Sequence, residues 1–320
     1  MTSLAKTVPA KRLLAWLQLL RLPTVFTAMA DILCGFLVGA ASSGAGEPNW
    51  CVLPCLLLSS AGLYLGGMVL NDVFDARLDA VERPERPIPS GRVSIRSAAT
   101  AGGLLLVIGL VAAIAAWFIV DRVGHSLFIA TMTAVSVLIY DTVLKTTWAG
   151  PFSMASCRFL NLALGAATAV SAAGAVMSWQ QPVLGAAMGL AVYIVGVTWF
   201  ARNEAGDSSQ FGLVGGVIVA TVGVAVSAVS TIVIQSDQTI AALAAVQFMG
   251  IIIATLVRGS WAIRDGQPPV LQRNVGKMLL WIIVLDAVVV FAVTGSAVME
   301  GVILLLVVPA IALRKRIPMS

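Results

Sequence analysis

Charged residues are scarce in this chain of 320 residues, of which 11% are Asp, Glu, Lys or Arg and 59% are hydrophobic. Soluble domains carry roughly 25% charged residues. The composition therefore excludes a soluble globular protein and predicts an integral membrane protein with several spans. The net charge of +5 is explained by membrane topology and by attraction to anionic lipid. Membrane lipid is accordingly an expected partner, and nucleic acid is not.

Histidine and cysteine are also too few for the sites that they usually supply. The single histidine, His125, is predicted to lie in a loop, which argues against His-based acid–base chemistry and His-rich metal sites. The cysteines Cys34, Cys51, Cys55 and Cys157 form no CxxC pair and are interpreted as buried small hydrophobic residues. A metal or catalytic site must then be built from carboxylates, amides, Arg and Lys.

Ten hydrophobic stretches have the length that a helix needs to cross a bilayer core of about 30 Å. They are 22–41, 51–70, 97–120, 126–144, 152–175, 181–200, 211–235, 239–258, 276–294 and 297–313. The predicted fold is all-α, a polytopic membrane helical bundle of nine to ten transmembrane helices. Residues 1–21 are predicted to form a basic cytoplasmic lead-in, and residues 22–320 a single transmembrane domain.

The basic residues favour one side of the membrane. With the N-terminus in the cytoplasm, the loops on the opposite side hold only Arg122 among all lysines and arginines. The positive-inside rule then places both termini in the cytoplasm. Polar residues also collect in the cytoplasmic loops. This distribution predicts a site that opens to the cytoplasm below a hydrophobic bundle.

The densest charged stretch, NDVFDARLDAVERPERPIPSG, runs from Asn71 to Gly91. Asn71, Asp75 and Asp79 follow at four-residue spacing, which places them on one face of a helix that is expected to continue through Asp79. Oxygen ligands without sulfur or imidazole favour Mg²⁺, which completes its shell with water and phosphate oxygens. A solvated acidic helix end is the alternative.

Basic and polar side chains elsewhere could contribute to the same site. Arginine is the residue type for paired contacts with phosphate oxygens, and prolines stiffen the loop that carries Arg86. The other residues predicted to contribute are Asp141, Lys145, Arg158, Asn161 and Arg202. For Arg158, a structural ion pair with an aspartate is the alternative.

The segment from Asn71 to Asp79 resembles the NDxxDxxxD first motif of the UbiA superfamily of intramembrane prenyltransferases. The segment from Arg86 to Arg92 is similar to the RPIPSGR sequence that follows that motif. Together with YDTVLK, MASCRFLN and ARNEAGD, the pattern looks most like the EboC-like branch. The resemblance implies a bundle of about nine helices around a central cavity in a bacterial inner membrane, with Mg²⁺ joining acidic motifs to a prenyl diphosphate.

The resemblance also implies roles for individual residues. The metal ligands and catalytic residues would be Asn71, Asp75, Asp79 and Glu204. Arg86, Lys145 and Arg21 would be candidates to contact the leaving diphosphate. With the polar residues predicted from their positions, the full set of predicted substrate-binding residues is Arg21, Asp72, Arg86, Asp141, Lys145, Arg158, Asn161 and Arg202. The family's second motif, DxxxD, is absent; the segment 201–207 reads ARNEAGD, and Glu204 is assigned as its acidic substitute.

The predicted function is Mg²⁺-dependent transfer of a prenyl group from an isoprenyl diphosphate to an unknown small or amphipathic acceptor. Aromatic faces can stabilise the allylic cation; those near the predicted cytoplasmic helix ends are Phe74, Trp148, Phe152, Phe159, Trp199 and Phe200. The alternative is a non-catalytic or transport-type relative that binds or moves an isoprenoid or a lipid-linked molecule. The composition excludes a soluble DDxxD prenyl synthase.

Overall fold

The computed structural model describes residues 4–43, 48–120, 125–172, 181–202 and 210–317. All regular secondary structure in these ranges is helical, which confirms the predicted all-α class. The first half of the chain holds α1 (Leu4–Leu19), α2 (Val25–Ser43), α3 (Leu53–Phe74), α4 (Ala76–Glu82), α5 (Ile95–Ile119) and α6 (His125–Ile139). The second half holds α7 (Gly150–Ala172), α8 (Gln181–Arg202), α9 (Gln210–Ile232), α10 (Gln238–Asp265), α11 (Pro268–Thr294), α12 (Ala297–Leu304) and α13 (Val307–Arg316).

Nine helical segments within the described ranges are long and apolar enough to cross a membrane, in agreement with the predicted nine to ten. They are Arg12–Ser43, Leu53–Phe74, Ile95–Ile119, His125–Leu144, Gln181–Arg202, Gln210–Ile232, Gln238–Asp265, Pro268–Thr294 and Ala297–Arg316. The predicted fifth span, α7, is not among them, because it combines Arg158 and Asn161 with many small residues. It packs against α2, α6 and α8, where other helices enclose its polar groups.

The first of these segments begins at Arg12, inside the predicted lead-in of residues 1–21. Helix α1 buries Ala15 and Leu19 against Val69 and Ala98, at the ends of α3 and α5. From Leu4 to Leu19 the lead-in is therefore a helix, and its C-terminal part packs on the bundle near the NDxxD stretch. The predicted division into a lead-in of residues 1–21 and one transmembrane domain of residues 22–320 stays a prediction.

Helices α2 and α7 cross with their backbones in direct contact. A Cβ atom on Gly35 would collide with the carbonyl of Leu162, and one on Gly165 would collide with the carbonyl of Ile32. Small residues allow such close approach between transmembrane helices. The crossing brings Asp31 of α2 beside Arg158 of α7, so this glycine pair positions a buried polar cluster.

The loops that carry the predicted site residues meet at one end of the helices, which we call the charged end. Helix α3 ends at Phe74 and α4 begins at Ala76, while Asp75 keeps helical backbone hydrogen bonds to Asn71 and Asp79. The predicted continuous helix is therefore two helices joined at Asp75. In the loop that follows α4, Arg92 donates to Gln18 of α1 and to the Glu85 carbonyl, so Arg92 anchors this loop.

Candidate functional site

Two residues of the first acidic motif contact the segment that follows α6, at the charged end. Asn71 Nδ2 donates to Asp141 Oδ1 at 2.8 Å, and Lys145 Nζ lies 2.5 Å from Asp75 Oδ1. Asp141 is buried, whereas Lys145 and Asp75 are partly accessible. The sequence segments NDVFD and YDTVLK, 70 residues apart, therefore form one polar surface.

A turn of π-helix at Tyr140–Leu144 makes this arrangement possible. Its wider turn is closed by the backbone amide of Lys145, which donates to the Tyr140 carbonyl at 3.0 Å. The extra residue in the turn changes the direction of the side chains that follow. As a result Asp141 contacts Asn71, and Lys145 contacts Asp75 one helical turn further along. Sequence spacing alone gave no sign of this irregularity.

A second set of charges forms a buried ion-pair network beside this surface. Arg86 Nη1 lies 2.7 Å from Asp79 Oδ2 and 3.7 Å from Asp72 Oδ1, and Arg21 Nη2 lies 3.0 Å from the same Asp72 oxygen. Asp79 and Arg86 are both buried. The carboxylate of Asp79 is thus occupied by Arg86, and its predicted role as a metal ligand would require that ion pair to open. That role stays a prediction.

The oxygen atoms at the Asn71–Asp141 contact suit a magnesium ion. Among the described residues, Asn71 Oδ1, Asp75 Oδ2 and Asp141 Oδ2 receive no hydrogen bond, and Asp141 Oδ2 is fully buried. Two carboxylates and an amide form a donor set that Mg²⁺ accepts while it keeps waters and phosphate oxygens. The described residues contain no group of three or more His, Cys, Asp and Glu side chains that could hold a metal ion. A Mg²⁺ ion here would therefore depend on a phosphate ligand for much of its shell.

Connected cavities lead from this surface into the bundle. An inner cavity of about 330 Å³ extends from Arg21 and Tyr140 to Arg158, with apolar walls from Met68, Met154, Ile194, Val197 and Leu279. A smaller pocket of about 50 Å³ continues from it past Tyr64 to Asp141 and Asn161. The space therefore combines a charged mouth with a largely apolar interior.

The inner end of these cavities is a dense polar cluster. Arg158 donates to Asp31 Oδ2 at 2.9 Å and to Thr27 at 2.7 Å, and its guanidinium lies 5.3 Å from the centre of the Tyr64 ring. Asn161 donates to the same Asp31 oxygen at 2.9 Å. The Arg158–Asp31 ion pair is the structural role that the sequence analysis gave as the alternative for Arg158. Arg158 also lines the cavity, so it remains accessible to a ligand.

The remaining predicted residues lie apart from the cavity walls or outside the described part of the chain. Arg202, at the end of α8, donates to the Lys145 carbonyl and lies over Gly150, so it anchors the turn that carries Lys145. Glu204 lies outside the described residues. The six aromatic residues proposed to stabilise a cation do not line the cavities described above; Tyr64 and Tyr140 do. The sequence reasoning missed Tyr64, which lies mid-span in α3 without a motif around it.

Comparison with known proteins agrees with this geometry. Residues 32–213, more than half of the chain, match the model of the UbiA prenyltransferase family. The chain belongs to the UbiA prenyltransferase family. The match includes the NDxxD segment, the π-helical turn and Arg158, and it stops before α10 to α13.

Curated relatives of this UbiA chain include archaeal digeranylgeranylglyceryl phosphate synthases. The protein from Saccharolobus solfataricus is 33% identical over 137 residues, which cover 42% of this chain and 44% of the relative. The one from Methanopyrus kandleri is 46% identical over 84 residues, which cover 26% and 29% respectively. The chain therefore spans less than half the length of the curated relatives it matches.

A solved UbiA homologue from Archaeoglobus fulgidus, bound to GPP and Mg²⁺, shares the fold over nearly its whole length. The TM-score is 0.60 at 15% identity, with 86% of this chain and 99% of the homologue covered. This similarity confirms the predicted UbiA-like bundle. The curated relatives are digeranylgeranylglyceryl phosphate synthases. Similarity specifically to the EboC-like branch, which was predicted from the sequence, is not among these findings.

Proposed function

We propose that this UbiA protein transfers a prenyl group from an isoprenyl diphosphate to an acceptor at the charged end of the bundle. The observation that carries the proposal is the contact of Asn71 and Asp75 with Asp141 and Lys145. Asp141 lines the small pocket and its neighbour Tyr140 lines the apolar inner cavity, and we call this end of the cavities the mouth. Acidic and basic groups at that mouth suit a diphosphate with its cation, and the apolar walls suit an isoprenoid chain. The GPP and Mg²⁺ bound to the Archaeoglobus fulgidus homologue support the same ligand class.

Asn71, Asp75 and Asp141 are the residues that would hold Mg²⁺, with Asp79 and Glu204 as further predicted ligands. When bound, Mg²⁺ would supply positive charge that stabilises the diphosphate as a leaving group. Lys145 and Arg21 would contribute positive charge from the protein itself, since their side chains contact Asp75 and Asp72 of the acidic motif. Lys145 would leave Asp75 to bind a phosphate oxygen.

The interior of the cavity would protect the reactive end of the prenyl chain. Tyr64 and Tyr140 line it, and an aromatic ring face stabilises positive charge such as that on an allylic carbon. The apolar side chains around them would exclude water, so that an acceptor nucleophile attacks in its place. Arg158 and Asn161 would orient the acceptor, with Asp31 fixing both of them.

The proposal also includes the type of acceptor, the branch of the UbiA family and the orientation of the bundle in the membrane. The names of the curated relatives support an acceptor of the glycerol-phosphate-lipid type, while the sequence patterns YDTVLK and ARNEAGD support the EboC-like branch. We place the charged end at the cytoplasmic side of a bacterial inner membrane, because the positively charged loops collect there.

An assay of diphosphate release tests the proposal. Membranes that contain the protein are incubated with Mg²⁺, a radiolabelled prenyl diphosphate and a cell extract as the source of acceptor. Wild type is expected to release diphosphate and to form a new prenylated product, whereas Asp75→Asn is not. The matched control is Asp265→Asn, an exposed aspartate at the end of α10. Binding of the prenyl diphosphate without release in wild type would favour the non-catalytic alternative.

A further inference from the structure

A third cavity at the charged end is lined mainly by arginines. It has a volume of about 730 Å³ and lies between the loop after α4, the start of α11 and the end of α13. The arginines that line it are Arg21, Arg83, Arg86, Arg273 and Arg314. Among the described side chains that line this cavity, which we call the basic cavity, Glu85 is the only acidic one.

Three of these arginines form no ion pair with a carboxylate in the part of the chain that the structure describes. Arg21 and Arg86 are paired with Asp72 and Asp79, as described above. Within the described ranges, no carboxylate oxygen lies in ion-pair distance of Arg83, Arg273 or Arg314. Guanidinium groups that converge without a counter-charge repel each other. An anion in the cavity would remove that repulsion.

Arg314 is held in place by features of α11. Its Nη1 donates to the Gly276 carbonyl at 2.8 Å, and a Cβ atom on residue 276 would collide with its guanidinium. The side chain of Arg273 folds back onto the preceding turn of α11, where its Nε donates to the Pro269 carbonyl at 3.2 Å. Both side chains keep further N–H groups available to a ligand, since an arginine has five. The bare glycine surface makes room for a guanidinium at the wall of the cavity.

The basic cavity is distinct from the candidate metal surface. None of Asn71, Asp75 and Asp141 lines it, so an anion there would be held by guanidinium groups without a metal. Arginine forks match the oxygens of a phosphate group in paired contacts. Arg21, Val275 and Leu279 line both this cavity and the apolar inner cavity. A ligand with a phosphate head and an apolar part would therefore span the two.

We propose that the basic cavity is a second, metal-independent phosphate-binding site, formed by Arg83, Arg273 and Arg314 together with Arg21 and Arg86. The phosphate belongs to an amphipathic molecule with a phosphate head group or to free phosphate. Arg273 and Arg314 lie beyond the residues 32–213 that match the family model. The site stands on this cavity alone and does not require the prenyl-transfer activity.

Binding in the absence of divalent cations tests the site. The full chain is purified in dodecyl maltoside micelles, which carry no phosphate, in the presence of EDTA, and binding is measured by native mass spectrometry and calorimetry. The probes are dioctanoyl phosphatidic acid, dioctanoylglycerol and inorganic phosphate. Phosphatidic acid or inorganic phosphate is expected to bind, and dioctanoylglycerol is not. Binding of phosphatidic acid alone identifies an amphipathic head group, and equal binding of inorganic phosphate identifies free phosphate.

Variants locate the binding to this cavity. Arg273→Gln and Arg314→Gln are each expected to weaken phosphate binding by about tenfold, the effect of one charge-assisted contact. Gln272→Glu, an exposed position on the cavity wall, adds a negative charge without removing a contact and is expected to weaken it too. Arg264→Gln and Arg316→Gln, both exposed and outside the cavity lining, are the matched controls.

Two results would overturn the proposal. One is failure of both phosphate-bearing probes to bind in EDTA. The other is equal binding by wild type, Arg273→Gln and Gln272→Glu; these two surface positions are suited to the comparison because neither side chain is buried.

Discussion

Lys145 Nζ lies 2.5 Å from Asp75 Oδ1, so a basic residue of the π-helical turn is paired with the central carboxylate of the acidic motif. In prenyl transfer, Asp75 would bind the divalent cation and Lys145 would bind the diphosphate, whereas here the two residues bind each other. A divalent cation at Asp75 competes with the ammonium group for the same carboxylate. In the proposed function, a diphosphate that bound Lys145 would relieve that competition, so we expect the pair to couple the binding of the two ligands.

Substitution of Lys145 by methionine should move the two affinities in opposite directions. Binding of Mn²⁺ alone is expected to tighten by roughly tenfold, because a competing charge-assisted contact at Asp75 is gone. Binding of a prenyl thiodiphosphate with the metal is expected to weaken by at least a similar factor. Electron paramagnetic resonance of free Mn²⁺ measures the first, and calorimetry the second. A change of both affinities in the same direction would contradict the coupling.

Asp141 is expected to act with the metal, although it lies outside the NDxxDxxxD pattern. Asp141→Asn keeps the size and polarity of the side chain but removes a carboxylate whose Oδ2 receives no hydrogen bond from the described residues. Loss of one charged ligand should weaken metal-dependent thiodiphosphate binding by at least about tenfold. Thr142→Ser, an exposed neighbour, is the control. Unchanged metal dependence in Asp141→Asn would remove Asp141 from the site.

Asp79 should affect folding more than metal binding. Asp79→Ala leaves Arg86 buried, with Asp72 at 3.7 Å as its one remaining ion-pair partner among the described residues, and breaking a buried ion pair costs about 3–5 kcal/mol. Thermal unfolding in detergent measures the loss, with Glu82→Ala on the exposed side of α4 as the control. If Asp79→Ala keeps its stability and loses Mn²⁺ binding, the predicted metal-ligand role is correct and the structural role is wrong.

The contact between α2 and α7 should tolerate no added side chain. Gly35→Ala places a Cβ against the Leu162 carbonyl and is expected to destabilise the protein by roughly 1–3 kcal/mol or more, as overpacking does. It should also separate Asp31 from Arg158. Gly103→Ala is the matched control, since a Cβ there meets no atom within 4 Å, and the better helix propensity of alanine should leave stability equal or slightly higher. Equal unfolding temperatures for the two variants would contradict the close crossing.

These relationships show where the sequence was informative. The composition and the hydrophobic stretches were sufficient to predict the helical membrane bundle, since span length follows directly from bilayer thickness. The spacing of Asn71, Asp75 and Asp79 predicted one helical face, but it could not show that Arg86 folds back onto Asp79, because that contact depends on the path of the loop.

Other contacts depend on tertiary structure that local patterns do not encode. The π-helical turn at Tyr140 packs against α3 and α7, and no residue in YDTVLK marks it. From the sequence, Arg273 and Arg314 were interpreted only as positive charges that set the membrane orientation. Their shared cavity could not be predicted, because it depends on how α11 and α13 pack. Arg158 and Asn161 were recognisable because polar residues inside a membrane helix need partners.

In the proposed site, Asn71, Asp75 and Asp141 hold a divalent cation together with a prenyl diphosphate. Crystals grown with Mn²⁺ and a prenyl thiodiphosphate, analysed by anomalous difference maps, test it most directly. We expect an anomalous peak at roughly 2.0–2.3 Å from oxygens of Asp75 and Asp141, with Lys145 moved to the thiodiphosphate. A peak bound by Asp79 without Asp141, or a thiodiphosphate bound with Lys145 still on Asp75, would contradict the account.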